Sequence, residues 1–322
     1  MTRRTRSTSP PAERVAGHFG LGSVIGVRRI TEGLMNPNWQ LSTTSGVYAI
    51  KQLRDADPPA GRRQQSVLPL LAAQGLPVPE VIGDQVGGHF YLVAPWMPGI
   101  HRTGSSLSPD ACRALGDLVG RIHRGLAAIL PEPPVVTDEP RTVHDAGAEL
   151  ERFGRAASAG RDDFDRAAAA DIGERLRLLD EVGHPRPADE PDLRPVGWTH
   201  GDLNDLNLLF EGDEVSGVLD WDRLGVRAYG LEVVRTATLM FDVGDLGRIA
   251  AFAAGYRGRF PIGDGALRDA AHRRWWDLVT ETWILRLHYD RGDPGCDHIL
   301  PRSAALRRWW TGHRDEFDEA LE

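Results

Sequence analysis

The apolar residues of this chain change their period near Trp96. Upstream, short runs alternate as strands do: Val24 to Ile30, Trp39 to Thr43, Val47 to Leu53, Val81 to Gly83 and Phe90 to Ala94. Thr44-Ser45-Gly46 joins the second to the third as a hairpin turn. Arg62 to Gln74 interrupts the series with a helical stripe, Val67, Leu68, Leu71 and Ala72, stopped by Gly75. Pro69 inside that stripe predicts a kink or a delayed start. After the stiff connection Ala94-Pro-Trp-Met-Pro-Gly99 the spacing turns helical.

Ser108-Pro109-Asp110 opens the first of these later helices with a capping hydroxyl, a proline at the first helical position and an acid at the positive dipole end. Leu115, Leu118, Val119, Ile122 and Leu126 form its buried stripe. Pro-rich loops at 131–140 and 183–197 flank a helical stretch from about Ala146 to Val182, and the chain from Leu231 onward reads as mainly helical. The pattern is α+β and two-lobed: an N-lobe over 18–96, with a small antiparallel sheet and one helix, and a larger mainly helical C-lobe over 97–322. Residues 1–17, rich in Arg, Ser, Thr and Pro, carry too little apolar surface to offset ordering and are expected to be disordered.

Composition narrows the function. A formal charge of -8 with scattered arginines disfavours a nucleic-acid partner, which needs clustered basic groups against phosphates. No apolar run approaches the roughly 18 residues of a membrane helix, and the Arg-rich start lacks the apolar stretch of a secretory signal, so no membrane partner and a cytoplasmic location are expected. Cys112 and Cys296 are isolated and read as buried thiols.

Of 38 basic residues, 37 are Arg and one, Lys51, is Lys; the only asparagines are Asn36, Asn38, Asn204 and Asn207. A coding bias toward Arg explains the scarcity. It leaves open what these five positions do that Arg or Asp does not.

The segment Trp198-Thr-His-Gly-Asp-Leu-Asn-Asp-Leu-Asn-Leu-Leu-Phe210 leads through the turn Glu211-Gly-Asp-Glu214 into Val215-Ser-Gly-Val-Leu-Asp-Trp-Asp222. Read as a second hairpin, it carries Asp202 and Asn207 on one loop and Asp220 at the end of the returning strand. Phosphoryl transfer asks for such a set: a carboxylate to take the proton of the attacking hydroxyl, and hard oxygens to hold magnesium on nucleotide phosphates. It also needs a cation on the donor phosphates. Lys51, on the strand face it shares with Val47 and Ala49, can supply one from the other lobe.

The loop His200-Gly-Asp202-Leu-Asn-Asp-Leu-Asn207, the strand Val218-Leu-Asp-Trp-Asp222 and Val47-Tyr-Ala-Ile-Lys51 together resemble the aminoglycoside phosphotransferase family, whose relatives include choline kinases and kinase-like homoserine kinases. Leu76-Pro-Val-Pro79, Val93-Ala-Pro-Trp-Met-Pro-Gly99 and Leu118-Val-Gly-Arg-Ile-His123 extend the similarity, which runs from about Ile25 to Tyr229. The resemblance implies a protein-kinase-like fold with ATP between the lobes, and an ATP- and Mg2+-dependent phosphotransferase acting on a hydroxyl of a small molecule: an aminoglycoside-like antibiotic, an amino alcohol or a sugar. It implies Asp202 as the general base and Asn207 and Asp220 as magnesium ligands. It sets Lys51 on the alpha and beta phosphates, the backbone of Ala94, Trp96 and Met97 on the adenine edge, and the turn around Gly33 over the phosphates. His200 would be structural.

Three departures from the family pattern stand out, one of them Gly230 where an acid commonly follows the tyrosine. Gln64 and Gln65 occupy the helix positions where a glutamate usually pairs with the lysine, which turns attention to Asp55 or Asp57. Asn204, Asp205 and Leu206 replace a common His-Pro-Gly. Asp222 reads either as a salt bridge to Arg223 or Arg227 or as a metal ligand, and stays outside the catalytic set. The competing functions are a nucleotide-binding protein without turnover, a peptide Ser/Thr kinase, and an iron oxygenase built on His200, Asp202 and either His272 or His288.

Overall fold

The computed structural model describes residues 11–30, 36–53, 58–131, 140–182, 193–241, 244–263 and 265–322. The chain forms two compact units. The first gathers residues 1–102, 121–131 and 199–225, and the second holds 103–120, 132–198 and 226–322. This grouping differs from a single cut after Trp96, because the loop and hairpin of 199–225 associate with the N-terminal strands. Main-chain bonds account for it: Val218 donates to the Pro77 carbonyl at 2.7 Å, and Ile100 and Phe210 exchange bonds of 3.0 and 2.9 Å.

The first unit begins with α1 (Ala12–Phe19), where the sequence led us to expect disorder to residue 17. The correction has a physical cause. Val15 and Ala16 are fully buried with Leu21 in a cluster of Trp39, Leu41, Ile50, Val86, Tyr91 and Val93, and Ala12 and Phe19 pack against it. The helix stops at Gly20, whose left-handed φ of 67° suits a residue without Cβ. Residues 1–10 lie outside the described chain.

The strands β1 (Val24–Ile30), β2 (Asn38–Thr43) and β3 (Gly46–Leu53) are followed by the helix α2 (Pro58–Ala73) and by β4 (Ile82–Val86) and β5 (His89–Pro95). They form one antiparallel sheet in the order β1-β2-β3-β5-β4. Thr43 pairs with Gly46, so Thr44 and Ser45 make the turn between β2 and β3. Because side chains alternate along a strand, Ile50 joins the cluster beneath α1 while Lys51 faces the other way. On that second side Leu53, Phe90 and Leu92 form a smaller cluster, and α2 approaches it so closely that a Cβ on Gly61 would stand 2.8 Å from the Phe90 ring. The sheet thus carries two helices, not one. The helix α2 starts earlier than the stripe from Arg62 indicates and continues through Pro69 without a break.

α3 (Pro109–Ile129) contributes residues to both units, and Ser108 caps its first turn, its Oγ accepting from the Ala111 N–H at 3.1 Å. The second unit continues with α4 (Val143–Ala159) and α5 (Asp163–Val182), the expected helical stretch being broken after Ala159. β6 (Val196–Thr199) then leads to the hairpin of the first unit, β7 (Leu208–Glu211) and β8 (Glu214–Val218). β9 (Gly225–Ala228) and the helices α6 (Tyr229–Met240), α7 (Leu246–Arg259), α8 (Ala266–Thr280), α9 (Trp283–Leu285), α10 (Ile299–Gly312) and α11 (Arg314–Leu321) follow. Trp275 and Trp276 are core, as their helical spacing suggests, whereas Trp283 is 39% exposed. Cys112 and Cys296 are buried free thiols. No described helix is long and apolar enough to cross a membrane.

Candidate active site

All the site residues that the structure describes belong to the first unit: Lys51, Ala94, Trp96 and Met97 fall within 1–102, and Asp202, Asn207 and Asp220 within 199–225. Gly33, with Asp55 and Asp57, lies outside the described residues.

The loop after β6 is built around His200, which is fully buried. Its Nδ1 accepts from the Asp202 main-chain N–H at 3.2 Å, so Nε2 carries the proton and donates to the Leu219 carbonyl at 2.8 Å. Both ring nitrogens are committed, and the ring packs 4.5 Å from the Trp221 indole. That leaves no ring lone pair for iron, and the histidine–aspartate oxygenase reading fails on it. Asn204 caps the following turn, accepting from the Leu206 N–H at 2.9 Å and donating to the Asp202 carbonyl at 2.9 Å. Asn207 donates to the same carbonyl at 2.8 Å, while its own carbonyl accepts from the Leu219 N–H at 2.8 Å. Leu219 is therefore pinned at both main-chain groups, which fixes the start of the Asp220 segment.

Asp220 has φ 58°, and among the described residues no other non-glycine has a positive φ. Such a conformation costs on the order of 1 kcal/mol or more for a residue with a Cβ. It turns the carboxylate toward β3, where Asp220 Oδ1 meets Lys51 Nζ at 2.6 Å. Asp222 Oδ2 also lies 2.6 Å from Lys51 Nζ. This corrects the expectation of a partner in Arg223 or Arg227. Two further donors hold Asp222: Asn36 Nδ2 reaches Oδ2 at 2.8 Å and Gln64 Nε2 reaches Oδ1 at 3.1 Å.

Burial alone would lower the pKa of the Lys51 ammonium, but the charges of Asp220 and then Asp222, with their hydrogen bonds, outweigh it and hold the amine above its ordinary value. One cation and two carboxylates leave this cluster with a formal charge of minus one. Asn207 and Asp220 are hard oxygen donors of the kind magnesium takes, and the Asn207 amide nitrogen is already spent on the loop, which turns its carbonyl oxygen away from it. Asp202 has the Arg223 guanidinium 4.0 Å from Oδ2.

The connection after β5 is less open than the sequence suggests. Ala94 is buried on the strand, and Trp96 donates its main-chain N–H to the Val47 carbonyl at 2.9 Å, so that donor belongs to the sheet. The Trp96 ring lies 5.9 Å from the Arg28 guanidinium.

The profile of a phosphotransferase enzyme family matches residues 26–288, most of the chain.

The chain belongs to that family.

Among relatives of this chain, the homoserine kinase of Methylocella silvestris is 30% identical over 218 residues, which are 63% of this chain and 61% of that protein's length. Among solved structures, an aminoglycoside phosphotransferase from Alicyclobacillus acidocaldarius superposes with a TM-score of 0.61 at 16% identity, covering 99% of this chain and 97% of the other. A choline kinase from Cryptosporidium parvum also gives 0.61, at 13% identity and 92% coverage of both chains. At such identities the likeness shows the fold, which is the α+β protein-kinase-like fold.

Sequence reasoning pointed to Gln64 or Gln65 near the lysine but missed Asp222 and Asn36 as members of its cluster. The rarity of asparagine was the available signal, since Asn36, Asn204 and Asn207 all bond within this network and Asn38 sits opposite Lys51 in the sheet register.

Proposed function

We propose that this chain is an ATP- and Mg2+-dependent kinase that phosphorylates a hydroxyl group of a small molecule. The observation that carries the reading is the 2.6 Å contact between Lys51 and Asp220, made in the same compact unit as the Asp202–Asn207 loop. A lone lysine beside a carboxylate suited to magnesium is what triphosphate binding requires. Bound magnesium would neutralise charge on the bridging phosphate oxygens.

The chain's own residues divide the remaining work. Lys51 binds the alpha and beta phosphates as a point charge. Asn207 and Asp220 offer the oxygens that hold the metal. Asp202 orients the acceptor hydroxyl and takes its proton as the oxygen–phosphorus bond forms and the bond from the gamma phosphorus to the ADP leaving oxygen breaks. His200 holds the Asp202 N–H and the Leu219 carbonyl in register and moves no proton. Similarity to homoserine kinase favours an amino alcohol among the acceptors, with aminoglycoside-like antibiotics and sugars as the other classes.

The test is an ADP-release screen across amino alcohols, aminoglycosides, other antibiotics and sugars, run beside Asp202→Ala. The variant is expected to lose transfer by at least about a thousandfold while ATP still raises its Tm. Full transfer by Asp202→Ala would remove Asp202 as the base, and ATP-independent behaviour of the wild type would remove the kinase reading.

A further inference from the structure

The kinase reading leaves Asp222 without a task, although it is the best-held acid of the cluster. Its two oxygens receive three donors: Lys51 and Asn36 at Oδ2, 2.6 and 2.8 Å away, and Gln64 at Oδ1, 3.1 Å away. Asp220 receives Lys51 alone from this set. The difference matters because a carboxylate that takes a divalent cation gives up part of its hold on a neighbouring ammonium. A lysine paired only with Asp220 would lose its anchor at the moment the metal arrived.

Gln64 explains how the second anchor is built. It is 4% exposed on α2, and its amide reaches Asp222. Being neutral, it cannot balance the ammonium, but its amide N–H fixes the orientation of Asp222, and the Asn36 amide fixes it from the other side. A carboxylate held by two amides is pre-organised, so Lys51 loses little entropy in pairing with it.

We propose that Asp222, held by Gln64 and Asn36, is the permanent counter-ion of Lys51 and a positioning residue for the phosphates, in place of an acid on α2, leaving Asp220 to the metal. The inference rests on the kinase reading for its consequence in ATP binding, but the pairing itself is testable without nucleotide.

Lys51 is the only lysine of the chain, so acylation of its amine is resolved from the N-terminal amine by peptide mass spectrometry. Four proteins are compared: wild type, Asp222→Asn, Gln64→Ala, and Gln64→Glu/Asp222→Asn, which exchanges amide and carboxylate. In the absence of nucleotide, Asp222→Asn is expected to raise the acylation rate of Lys51 at least about threefold, Gln64→Ala less, and the exchanged pair to return it to the wild-type rate. In the transfer assay Asp222→Asn should raise KM for ATP about tenfold with kcat changed less than about threefold, and the exchanged pair should restore KM. If Asp222→Asn does not fold, Gln64→Ala, which leaves every charge in place, still decides between a loosened and an unchanged lysine.

Unchanged acylation in Asp222→Asn, or in Gln64→Ala where that variant alone folds, overturns the proposal. So does a raised Mg2+ requirement in Asp222→Asn that the exchanged pair fails to restore, because Asp222 would then be a metal ligand. A wild type that transfers no phosphate would defeat the kinase reading, and the acylation series would still judge the pairing.

Discussion

Asn207 donates its side-chain amide to the main-chain carbonyl of Asp202 at 2.8 Å, so the proposed metal ligand also holds the backbone of the proposed base. Replacing it therefore acts twice. Asn207→Ala is expected to lower transfer by at least about a hundredfold and to raise the magnesium concentration needed for half-maximal rate. Asn207→Asp, which keeps an oxygen ligand but loses the donated bond, should retain more of the metal dependence than of the rate. Rates measured across a magnesium titration separate the two. Equal losses in both variants, without any change in magnesium requirement, would mean that Asn207 only shapes the loop.

His200 predicts a defect of stability and placement without an effect on proton transfer. Removal of its ring orphans the Leu219 carbonyl and the Asp202 N–H, groups next to the residues that matter most. His200→Ala is expected to cost about 2–6 kcal/mol in chemical denaturation, since each of the two groups left without a partner costs on the order of 1–3 kcal/mol. The pH profile of its residual activity should keep the wild-type shape. A lost limb in that profile would instead make His200 a proton carrier.

Gly116 on α3 and Gly255 on α7 let two helices of the second unit approach backbone to backbone. A Cβ on Gly116 would lie 2.0 Å from the Phe252 carbonyl oxygen, and one on Gly255 would lie 2.0 Å from the Arg113 carbonyl oxygen. In an exposed helix, glycine to alanine gains roughly 1 kcal/mol. Here overpacking reverses the sign, and Gly116→Ala or Gly255→Ala should destabilise by about 1–3 kcal/mol in denaturant titrations. Two stabilised variants would show that these helices separate easily.

Glu149 sets an acid limit on stability. The Arg286 guanidinium bonds it first, with the Thr282 hydroxyl and Arg141 adding to the hold, and together they exceed the opposing effect of burial and bring its pKa to about 2. The folded state therefore prefers the carboxylate. Its contribution is complete above the unfolded-state value of about 4.5 and is lost as the pH falls toward about 2, an effect on the order of 3 kcal/mol. Glu149→Gln should lower stability at neutral pH and flatten the stability curve between those limits. An unaltered acid limb in calorimetry would place the group outside the linkage.

Much of the fold could be read from periodicity because strands such as β2 alternate a buried with a half-buried side chain. β1 begins and ends where its apolar run does, and β3 splits Ile50 from Lys51 by simple alternation. α1 escaped notice for the opposite reason. It has eight residues between a Pro-rich flank and Gly20, and its apolar side gains meaning only against Trp39 and Tyr91, far along the chain. The loop, the returning strand and the lysine declared themselves through residue type and order. The partner of Asp222 did not, because the bond from Gln64 spans 158 positions and depends on which way Asp220 turns the chain. Local spacing offered Arg223 and Arg227, and folding brought in Lys51.

The first unit is assembled from stretches that leave the ribosome at very different times. When β3 and β5 are first able to pair, Pro77 and Ile100 still lack their main-chain partners and Lys51 has neither of its carboxylates, since residues 199–225 have yet to be made. A nascent chain halted before residue 199 carries a sheet whose Lys51 amine is unbalanced by either carboxylate. Maturation of the first unit thus waits for translation of a hairpin that lies beyond α4 and α5 of the second unit, and synthesis order and folding order cannot coincide.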